Sequence, residues 1–252
     1  MIGNRYEYDA MAACEQEMWW YRCLHDLTFQ HIQKKQHLSS PRILDAGCGT
    51  GGLLVYLKEK GFTNLNGFDL SPDAVEYART STGIDVQLVD ITRADEAYPE
   101  NYFDIITSHD TVCLLQQGQD TIALSKLLAI LKPGGVLLMN LPALKAFNGT
   151  HDIAVGIQKR YSIKAIKNMI GQRALIKSYS YWPFLLSPGI FFTRSIQKIS
   201  TVFRPRKKVV SDVKMPSSMV NRFFYTLTNM ENTHFRVKPW GSSLFLMLQK
   251  NI

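Results

Sequence analysis

The chain has 252 residues, of which 46% are hydrophobic and 20% are charged, and its formal net charge is +8. This length and composition predict a globular protein with one sizeable core and room for an added cap. No apolar run is long enough to span a bilayer, the amino terminus lacks the apolar core of a signal peptide, and the four cysteines show no metal-binding spacing. We therefore expect a cytoplasmic protein with reduced thiols and no metal.

Residues 1–40 predict two helices before the first strand. This region contains the aromatic run Trp19-Trp20-Tyr21. These side chains either close over a bound ligand or make ordinary helix contacts. We expect the region to form an amino-terminal helical lid.

Residues 42–57 predict a short buried strand, a glycine-rich turn and the start of a helix. Glycines let the backbone approach a ligand closely, and the helix start presents free N–H groups. The turn fits the G-x-G-x-x-G pattern of a dinucleotide site, and it also fits a D-x-G-x-G-x-G pattern. The fixed positions of the second pattern are Asp45, Gly47, Gly49 and Gly51.

Two further predicted strands end in an acidic residue. Residues 64–69 predict a strand that ends at Asp69, and Ser71 then caps a helix. A carboxylate at this point suits a ribose diol, because it can accept hydrogen bonds from two hydroxyl groups. The third strand, residues 85–89, is followed by Asp90, whose carboxylate can accept a hydrogen bond from an adenine amine.

Residues 102–110 predict a fourth strand, and the turn Leu131-Lys132-Pro133-Gly134-Gly135 precedes a fifth. Together with the glycine turn and the strand-end acids, these motifs resemble the core of the class I S-adenosylmethionine-dependent methyltransferases over residues 42–143. The resemblance implies an α/β fold with a doubly wound, mostly parallel seven-stranded Rossmann-like sheet, an antiparallel last strand and a helical cap. It also implies S-adenosyl-L-methionine as methyl donor, with S-adenosyl-L-homocysteine as its product.

The resemblance implies donor-binding roles at the strand ends. Asp45 is expected to orient the turn and the donor's amino group, Asp69 to hold the ribose, and Asp90 to frame the base. His109, just after the fourth strand, contacts the donor, acts as a base or only packs. The predicted donor-binding residues are Asp45, Gly47, Cys48, Gly49, Gly51, Asp69, Leu70, Asp90, Ile91, His109 and Tyr21.

A later stretch resembles the P-A…H-D…R-R-Y-[ST] motif of one bacterial branch of this family. The matching residues are Pro142, Ala143, His151, Asp152, Lys159, Arg160, Tyr161 and Ser162. His151 and Asp152 follow the fifth strand and act either as a base with its orienting acid or as a hydrogen bond that pins the loop. Leu114 stands where this branch often has a histidine, so that position supplies no base. The predicted catalytic residues are His151, Asp152, His109 and Tyr21, with Arg160 and Tyr161 supporting the acceptor pocket.

We predict four segments along the chain. They are a helical lid (1–40), a Rossmann-like methyltransferase core (41–181), a helical cap inserted between the last two strands (182–232) and the final strand of the core (233–252). The insertion is far longer than a hairpin needs. It is expected to begin as an irregular apolar segment at 182–192 and to continue as a helix, a basic linker at 204–208 and a second helix from about 216 to 229.

Residues 153–214 contain thirteen Lys or Arg residues and a single acid, Asp212. Such a stretch is either a solvated face or a surface for an acidic substrate, an anionic lipid or a nucleic acid. The apolar stripe of the insertion, which includes Phe192 and Ile196, either packs on its own protein, covers an apolar acceptor as a lid, or lies on a membrane.

These patterns predict an S-adenosylmethionine-dependent methyltransferase that moves a methyl group to oxygen or nitrogen of a small-molecule acceptor, such as an amphiphile or a secondary metabolite. The alternatives are a methyltransferase of a lipid-linked or quinone-type acceptor at an anionic membrane surface, a non-catalytic nucleoside-binding protein and an NAD-dependent oxidoreductase. A nucleic acid acceptor is not expected, because the chain lacks an N-P-P-[YF] motif and a recognisable RNA module. The expected location is cytoplasmic, with peripheral membrane association as the alternative.

Overall fold

The computed structural model describes residues 5–34, 40–203, 215–235 and 237–252. Its seven strands are β1 (Ile43–Ala46), β2 (Leu65–Asp69), β3 (Gln87–Leu88), β4 (Phe103–His109), β5 (Leu131–Pro142), β6 (Ala174–Trp182) and β7 (Ser243–Lys250). They form one sheet in the order β3-β2-β1-β4-β5-β7-β6. Only β7 runs antiparallel to its neighbours, β5 and β6. The predicted sheet class is therefore confirmed.

Ten α-helices are present in the described part of the chain. They are α1 (Arg5–Cys14), α2 (Trp19–Gln33), α3 (Gly52–Glu59), α4 (Pro72–Thr82), α5 (Ala94–Ala97), α6 (Gln119–Ile130), α7 (Thr150–Val155), α8 (Ile163–Ile170), α9 (Ser187–Phe203) and α10 (Ser218–His234). None of the described helices is long and apolar enough to cross a bilayer.

The sheet lies between two apolar cores, because successive side chains of a strand point to opposite faces. Ile43 belongs to the core that includes residues of α2, α3 and α4, whereas its neighbour Leu44 belongs to the core that includes residues of α6 and α8. Both side chains are fully buried. This two-sided burial explains why β1 is apolar up to the acid near its end.

Local capping signals define several helix ends. The Ser71 hydroxyl accepts a hydrogen bond from the Ala74 backbone N–H, and Pro72 occupies the first turn of α4. Ser162 caps α8 in the same way. Because β2 ends immediately before α4, the Ser71 cap fixes where Asp69, the acid at the end of β2, lies relative to α4.

The amino-terminal helices pack against the helix that precedes β7. The Asn221 side chain accepts a hydrogen bond from Trp19 N (2.8 Å) and donates one to Glu17 O (2.8 Å). Tyr225 donates to Asp26 (2.7 Å) across the same contact between α2 and α10. The two segments predicted as lid and cap therefore contact each other, although 200 residues separate them in sequence.

Three local expectations differ from the structure. The edge strand β3 is only two residues long, and its Gln87 and Leu88 pair with Phe68 and Asp69 of β2. The α9 helix begins at Ser187, within the segment expected to be irregular, since proline is tolerated in a first helical turn. Residues 132–135 bulge out of the sheet, because Phe103 pairs with Leu131 and Ile105 with Val136. The predicted basic linker at 204–208 lies outside the described residues.

Candidate functional site

The glycine turn connects β1 to α3 with its backbone in the left-handed region. Gly47 has φ +79°, and a Cβ there would collide with the Thr111 side chain that follows β4. Gly51 has φ +88°, and a Cβ there would press on Ala78 in α4. Gly47 therefore lets the Thr111 side chain pack against the turn, whereas Gly51 lets two helices approach each other.

Asp69, at the end of β2, holds this turn in place. Its Oδ2 accepts a hydrogen bond from Gly49 N (3.0 Å) and its Oδ1 accepts one from Ser71 N (2.9 Å). Burial raises the pKa of this carboxyl group. Each oxygen has a second lone pair, so the carboxylate can still accept hydrogen bonds from a ligand.

A cavity of about 540 Å³ opens at the carboxyl ends of the parallel strands. The predicted site residues that line it are Asp45, Gly47, Cys48, Gly49, Asp69, Leu70, Asp90, Ile91, His109, Tyr21 and His151. Gly51 and Asp152 do not line it. The cavity continues past the sheet edge to Pro142 at the end of β5, to Arg160, and to Ile190 and Arg194 on α9.

Asp90 and Leu70 form part of the rim beside β2 and β3. The Oδ1 of Asp90 accepts hydrogen bonds from the backbone N–H (2.8 Å) and hydroxyl (2.7 Å) of Thr92, which opens a short 3-10 turn. Leu70 is 47% exposed, and Ile91 is buried behind it. An apolar surface next to a fixed carboxylate is a suitable environment for a purine ring.

Three acidic side chains at this end of the cavity are about half protonated in the folded protein near pH 7. Burial raises the pKa of Glu15, Asp45 and Asp110 to about 7 each. Thr107 donates to Asp45 (2.7 Å). No lysine or arginine of the described residues forms an ion pair with any of the three. Sequence reasoning missed Glu15 and Asp110 as site residues.

Asp110 occupies a strained position that two hydrogen bonds maintain. It has φ +52°, its N–H donates to Asn140 O (2.8 Å), and its Oδ2 accepts from Asn140 Nδ2 (2.8 Å). Trp182 Nε1 donates to the Asn140 Oδ1 (2.8 Å), which fixes the orientation of the amide. A non-glycine residue with positive φ costs about 1–3 kcal/mol, so this network holds the carboxylate toward the cavity against that strain.

His109 is a neutral imidazole at the end of β4. Burial lowers its pKa to about 3. Thr28 Oγ1 lies 2.9 Å from His109 Nε2 and donates its own proton to Leu24 O (2.8 Å). His109 Nε2 therefore donates to Thr28, and Nδ1 keeps a free lone pair with no hydrogen-bond partner among the described residues.

Asp152 pairs with Arg160 and not with His151. The two carboxylate oxygens accept from Arg160 Nε and Nη2, both at 2.7 Å, while Arg160 Nη1 donates to Ala143 O (2.9 Å) and Ser242 O (3.1 Å). This buried pair ties α7 to the ends of β5 and β7. It holds the helix that carries His151, so the expected base–orienter contact between the two neighbours is not formed.

Two tyrosines of the prediction lie in different environments. Tyr21 lines the cavity with its ring edge-on to Trp20, and burial raises the pKa of its hydroxyl. Tyr161 is buried in the core and donates to Asp120 (3.1 Å), away from the cavity. Tyr21 is therefore placed to touch a ligand, whereas Tyr161 supports the structure behind the site.

The sequence signals for the two missed acids differ. Asp110 follows β4 in the same way that acids follow β2 and β3, so the strand-end rule could have identified it. Glu15 lies between α1 and α2 among several acids of the amino-terminal region. Nothing in its local sequence distinguishes it, because only the packing of α1 and α2 on the sheet brings it to the site.

Comparison with known proteins agrees with this geometry. Residues 43–135 match a family model described as a methyltransferase domain. Phosphoethanolamine N-methyltransferase 1 of Arabidopsis thaliana is 32% identical over 121 residues, which cover 46% of this chain and 24% of that protein. Ubiquinone biosynthesis O-methyltransferase of Neisseria meningitidis serogroup C is 25% identical over 139 residues, covering 49% of this chain and 57% of that protein. The chain thus spans about a quarter and about half of the length of these relatives.

A solved structure shows the same fold over nearly the whole chain. The S-adenosylmethionine-dependent methyltransferase from Archaeoglobus fulgidus superposes with a TM-score of 0.55 at 18% identity, covering 90% of this chain and 94% of that one. The strand order and the glycine turn agree with the fold of that structure, and the matched methyltransferase-domain model covers the part of the chain that contains β1 to β4 and the glycine turn.

Proposed function

We propose that the protein transfers a methyl group from S-adenosylmethionine to oxygen or nitrogen of a small-molecule acceptor. The observation that carries this proposal is the composition of the cavity at the strand ends. Glu15, Asp45, Asp69 and Asp110 converge there, and no lysine or arginine of the described chain pairs with any of them. Burying acids without a counterion is costly, so such a cavity favours a cationic ligand.

The residues present fit the proposed donor part by part. Asp69 would hold the ribose diol, Asp90 and Leu70 would frame the adenine, and the backbone of Gly47 and Gly49, which lines the cavity, would admit the methionine chain. When bound, S-adenosylmethionine supplies a methyl group on a positively charged sulfur that is already a good leaving group. The protein's part is then to align the acceptor with that methyl group and to exclude water.

The far end of the cavity would receive the acceptor. His151, Arg160 and Arg194 lie there together with the apolar side chains of Pro142 and Ile190. His109 and Asp110 also line the cavity. Asp110, whose pKa is raised to about 7, could take a proton from an attacking hydroxyl or amine, whereas the lowered pKa of His109 suits its Nδ1 to accept a hydrogen bond from the ligand. This separate space favours an enzyme over a non-catalytic nucleoside-binding protein.

The same geometry disfavours an NAD-dependent oxidoreductase. A dinucleotide site places its pyrophosphate on the N-terminus of the helix after the glycine turn. Here the Glu15 carboxylate occupies that position, accepting hydrogen bonds from Thr50 Oγ1 and the Gly52 backbone. A second negative charge would be repelled there.

Isothermal titration calorimetry tests the proposal directly. We expect S-adenosylmethionine and S-adenosylhomocysteine to bind and NADH not to bind. Release of S-adenosylhomocysteine in the presence of a panel of amines, phenols and quinols should then identify the acceptor class. Failure to bind either adenosyl ligand would refute the assignment, and binding without turnover on any acceptor would favour the nucleoside-binding alternative.

A second candidate is a lipid-linked or quinone-type acceptor taken from an anionic membrane surface. On α9, Ile190 and Arg194 line the cavity, whereas Phe191, Phe192 (67% exposed) and Ile196 are exposed to solvent. The sequence that follows α9 is strongly basic. An apolar helix face beside basic residues is typical of proteins that lie on anionic membranes.

Vesicle co-sedimentation separates the two candidates. The membrane candidate predicts salt-sensitive binding to phosphatidylglycerol-containing vesicles that Phe192→Asp weakens at least about tenfold, since a charge replaces an inserted aromatic ring. Leu88→Asp, at the exposed edge strand β3, is the matched control and should bind like the parent. No binding of the parent protein would leave the small-molecule proposal alone.

A further inference from the structure

Glu15 is a buried acid of the cavity that comes from the amino-terminal segment and not from the sheet. It lies in the turn between α1 and α2 and is more than nine-tenths buried. Its carboxylate accepts a hydrogen bond from Thr50 Oγ1 and another from the Gly52 backbone N–H. A residue that is remote in sequence thus reaches the glycine turn and the start of α3.

The turn is shaped to admit this carboxylate. The carboxyl group of Glu15 fills the space that a Cβ at position 52 would occupy, so any other residue than glycine there would displace it. On its other side Glu15 lines the cavity next to Asp45 and Gly49. Gln16, the next residue, also contacts the turn, donating to Gly52 O (3.3 Å).

The two hydrogen bonds that the Glu15 carboxylate accepts use only part of its hydrogen-bonding capacity. Two donors leave lone pairs of the carboxylate available on the cavity side, and no cation of the described residues neutralises it. A buried carboxylate in this state is stabilised by a ligand that brings its own positive charge and N–H donors.

We propose that Glu15 binds the α-ammonium group of the methyl donor and so makes the site specific for ligands that carry the intact amino acid. This inference rests on the proposed function and assigns a ligand contact to the amino-terminal segment. Asp45 lines the same end of the cavity from β1, where Thr107 holds one of its oxygens. Glu15 faces this end from the amino-terminal segment, so its charge is available to the amino group in addition to that of Asp45.

The test is a comparison of three ligands with the full chain by calorimetry. S-adenosylhomocysteine carries the ammonium group, its 4-thiobutyrate analogue lacks only the amino group, and 5′-methylthioadenosine lacks the whole amino acid. Glu15→Gln keeps the size of the side chain and its acceptor for Thr50. We expect this variant to weaken S-adenosylhomocysteine binding by about 10- to 100-fold, the range for a hydrogen bond between charged groups, and the other two ligands by less than about twofold.

Glu17→Gln is the matched control, because Glu17 belongs to the same turn, carries the same charge and is exposed. It should bind all three ligands like the parent. Equal weakening of all three ligands in Glu15→Gln would show a purely structural role and overturn the inference, as would unchanged binding of S-adenosylhomocysteine. If the parent binds none of the three, the proposed function itself fails, which is a distinguishable result.

Discussion

Asp69 combines a structural role with the proposed role of holding the ribose within one carboxylate. It fixes the glycine turn through Gly49 and the start of α4 through Ser71. Removing it takes away the ribose acceptor and also loosens the turn that forms the cavity wall. Both effects act on the donor and neither acts directly on the far end of the cavity.

We expect Asp69→Ala to raise the Kd for S-adenosylmethionine at least about 100-fold, since two hydrogen bonds to a charged group are lost. Calorimetry measures the change. Asp85→Ala is the control, because Asp85 is exposed and pairs only at the surface with Arg79 (3.3 Å). If Asp69→Ala binds the donor like the parent, the ribose assignment is wrong.

His151 is predicted to act on the acceptor. It lines the cavity on α7, which the Asp152–Arg160 pair anchors to the ends of β5 and β7. We expect His151→Ala to lower kcat at least about tenfold, within the range for loss of a general base, while the donor Kd changes less than about threefold. Steady-state kinetics with the acceptor found by screening, alongside the exposed His234→Ala as control, measures both quantities. Unchanged turnover would remove His151 from the reaction.

At the residue scale, the sequence predicted those cavity-lining residues that lie near the ends of strands. Asp45, Asp69 and Asp90 are near such ends, and all three line the cavity. The partner of Asp152 was not predictable, because the choice between its neighbour His151 and Arg160 depends on the geometry of α7. Glu15 was not predictable either, since its place depends on long-range packing.

At the scale of elements, α10 positions the wall of the cavity. Glu231 is fully buried, and its two oxygens accept from Phe184 N (2.6 Å) and Leu185 N (2.7 Å) in the turn between β6 and α9. That turn follows Pro183 and leads into the α9 residues that line the cavity. A single carboxylate thus connects the helix before β7 to the acceptor end of the site.

Glu231→Gln would present an amide N–H₂ to one of these backbone donors. We expect a loss of about 2–4 kcal/mol in the free energy of unfolding, the range for breaking a buried charged hydrogen bond, with a fall in Tm of about 4–12 °C. The KM for the acceptor should rise while the Kd for the donor stays within about twofold. Thermal unfolding with Glu59→Gln as an exposed control measures the first effect; an unchanged Tm would contradict the anchoring role.

Elements with strong local signals were predictable, and those that depend on partners were not. Ser162 and Gly171 mark the ends of α8, because a serine cap and a glycine with positive φ act within one turn. The edge strand β3 is shorter than its apolar pattern indicated, because only Gln87 and Leu88 pair with β2. The contact of α2 with α10 joins segments near the two ends of the chain, and no periodic pattern of apolar residues in the sequence predicts it.

At the scale of the whole molecule, buried acids and buried histidines make the free energy of unfolding depend on pH in opposite directions. The folded pKa of Glu15, Asp45 and Asp110 is raised to about 7, so the stability they contribute is present below their unfolded pKa of about 4 and is lost as pH rises through 7. The pKa of His25 and His109 is lowered to about 4 and 3, so their contribution is lost as pH falls below about 6.5.

Above pH 6.5 the acids dominate, because the histidines are then neutral in both states. We expect the ligand-free protein to lose about 1 kcal/mol per pH unit between pH 6.5 and 8, with a fall in Tm of about 2–4 °C per unit. A cationic donor favours the ionised acids, so S-adenosylmethionine should raise Tm more at pH 8 than at pH 6.5. S-adenosylhomocysteine, without the sulfonium charge, should show a weaker pH dependence. Differential scanning fluorimetry across this range measures all three trends. A Tm of the free protein that rises with pH would contradict the presence of buried acids without a counterion. The preference of the cavity for a cation depends on those acids.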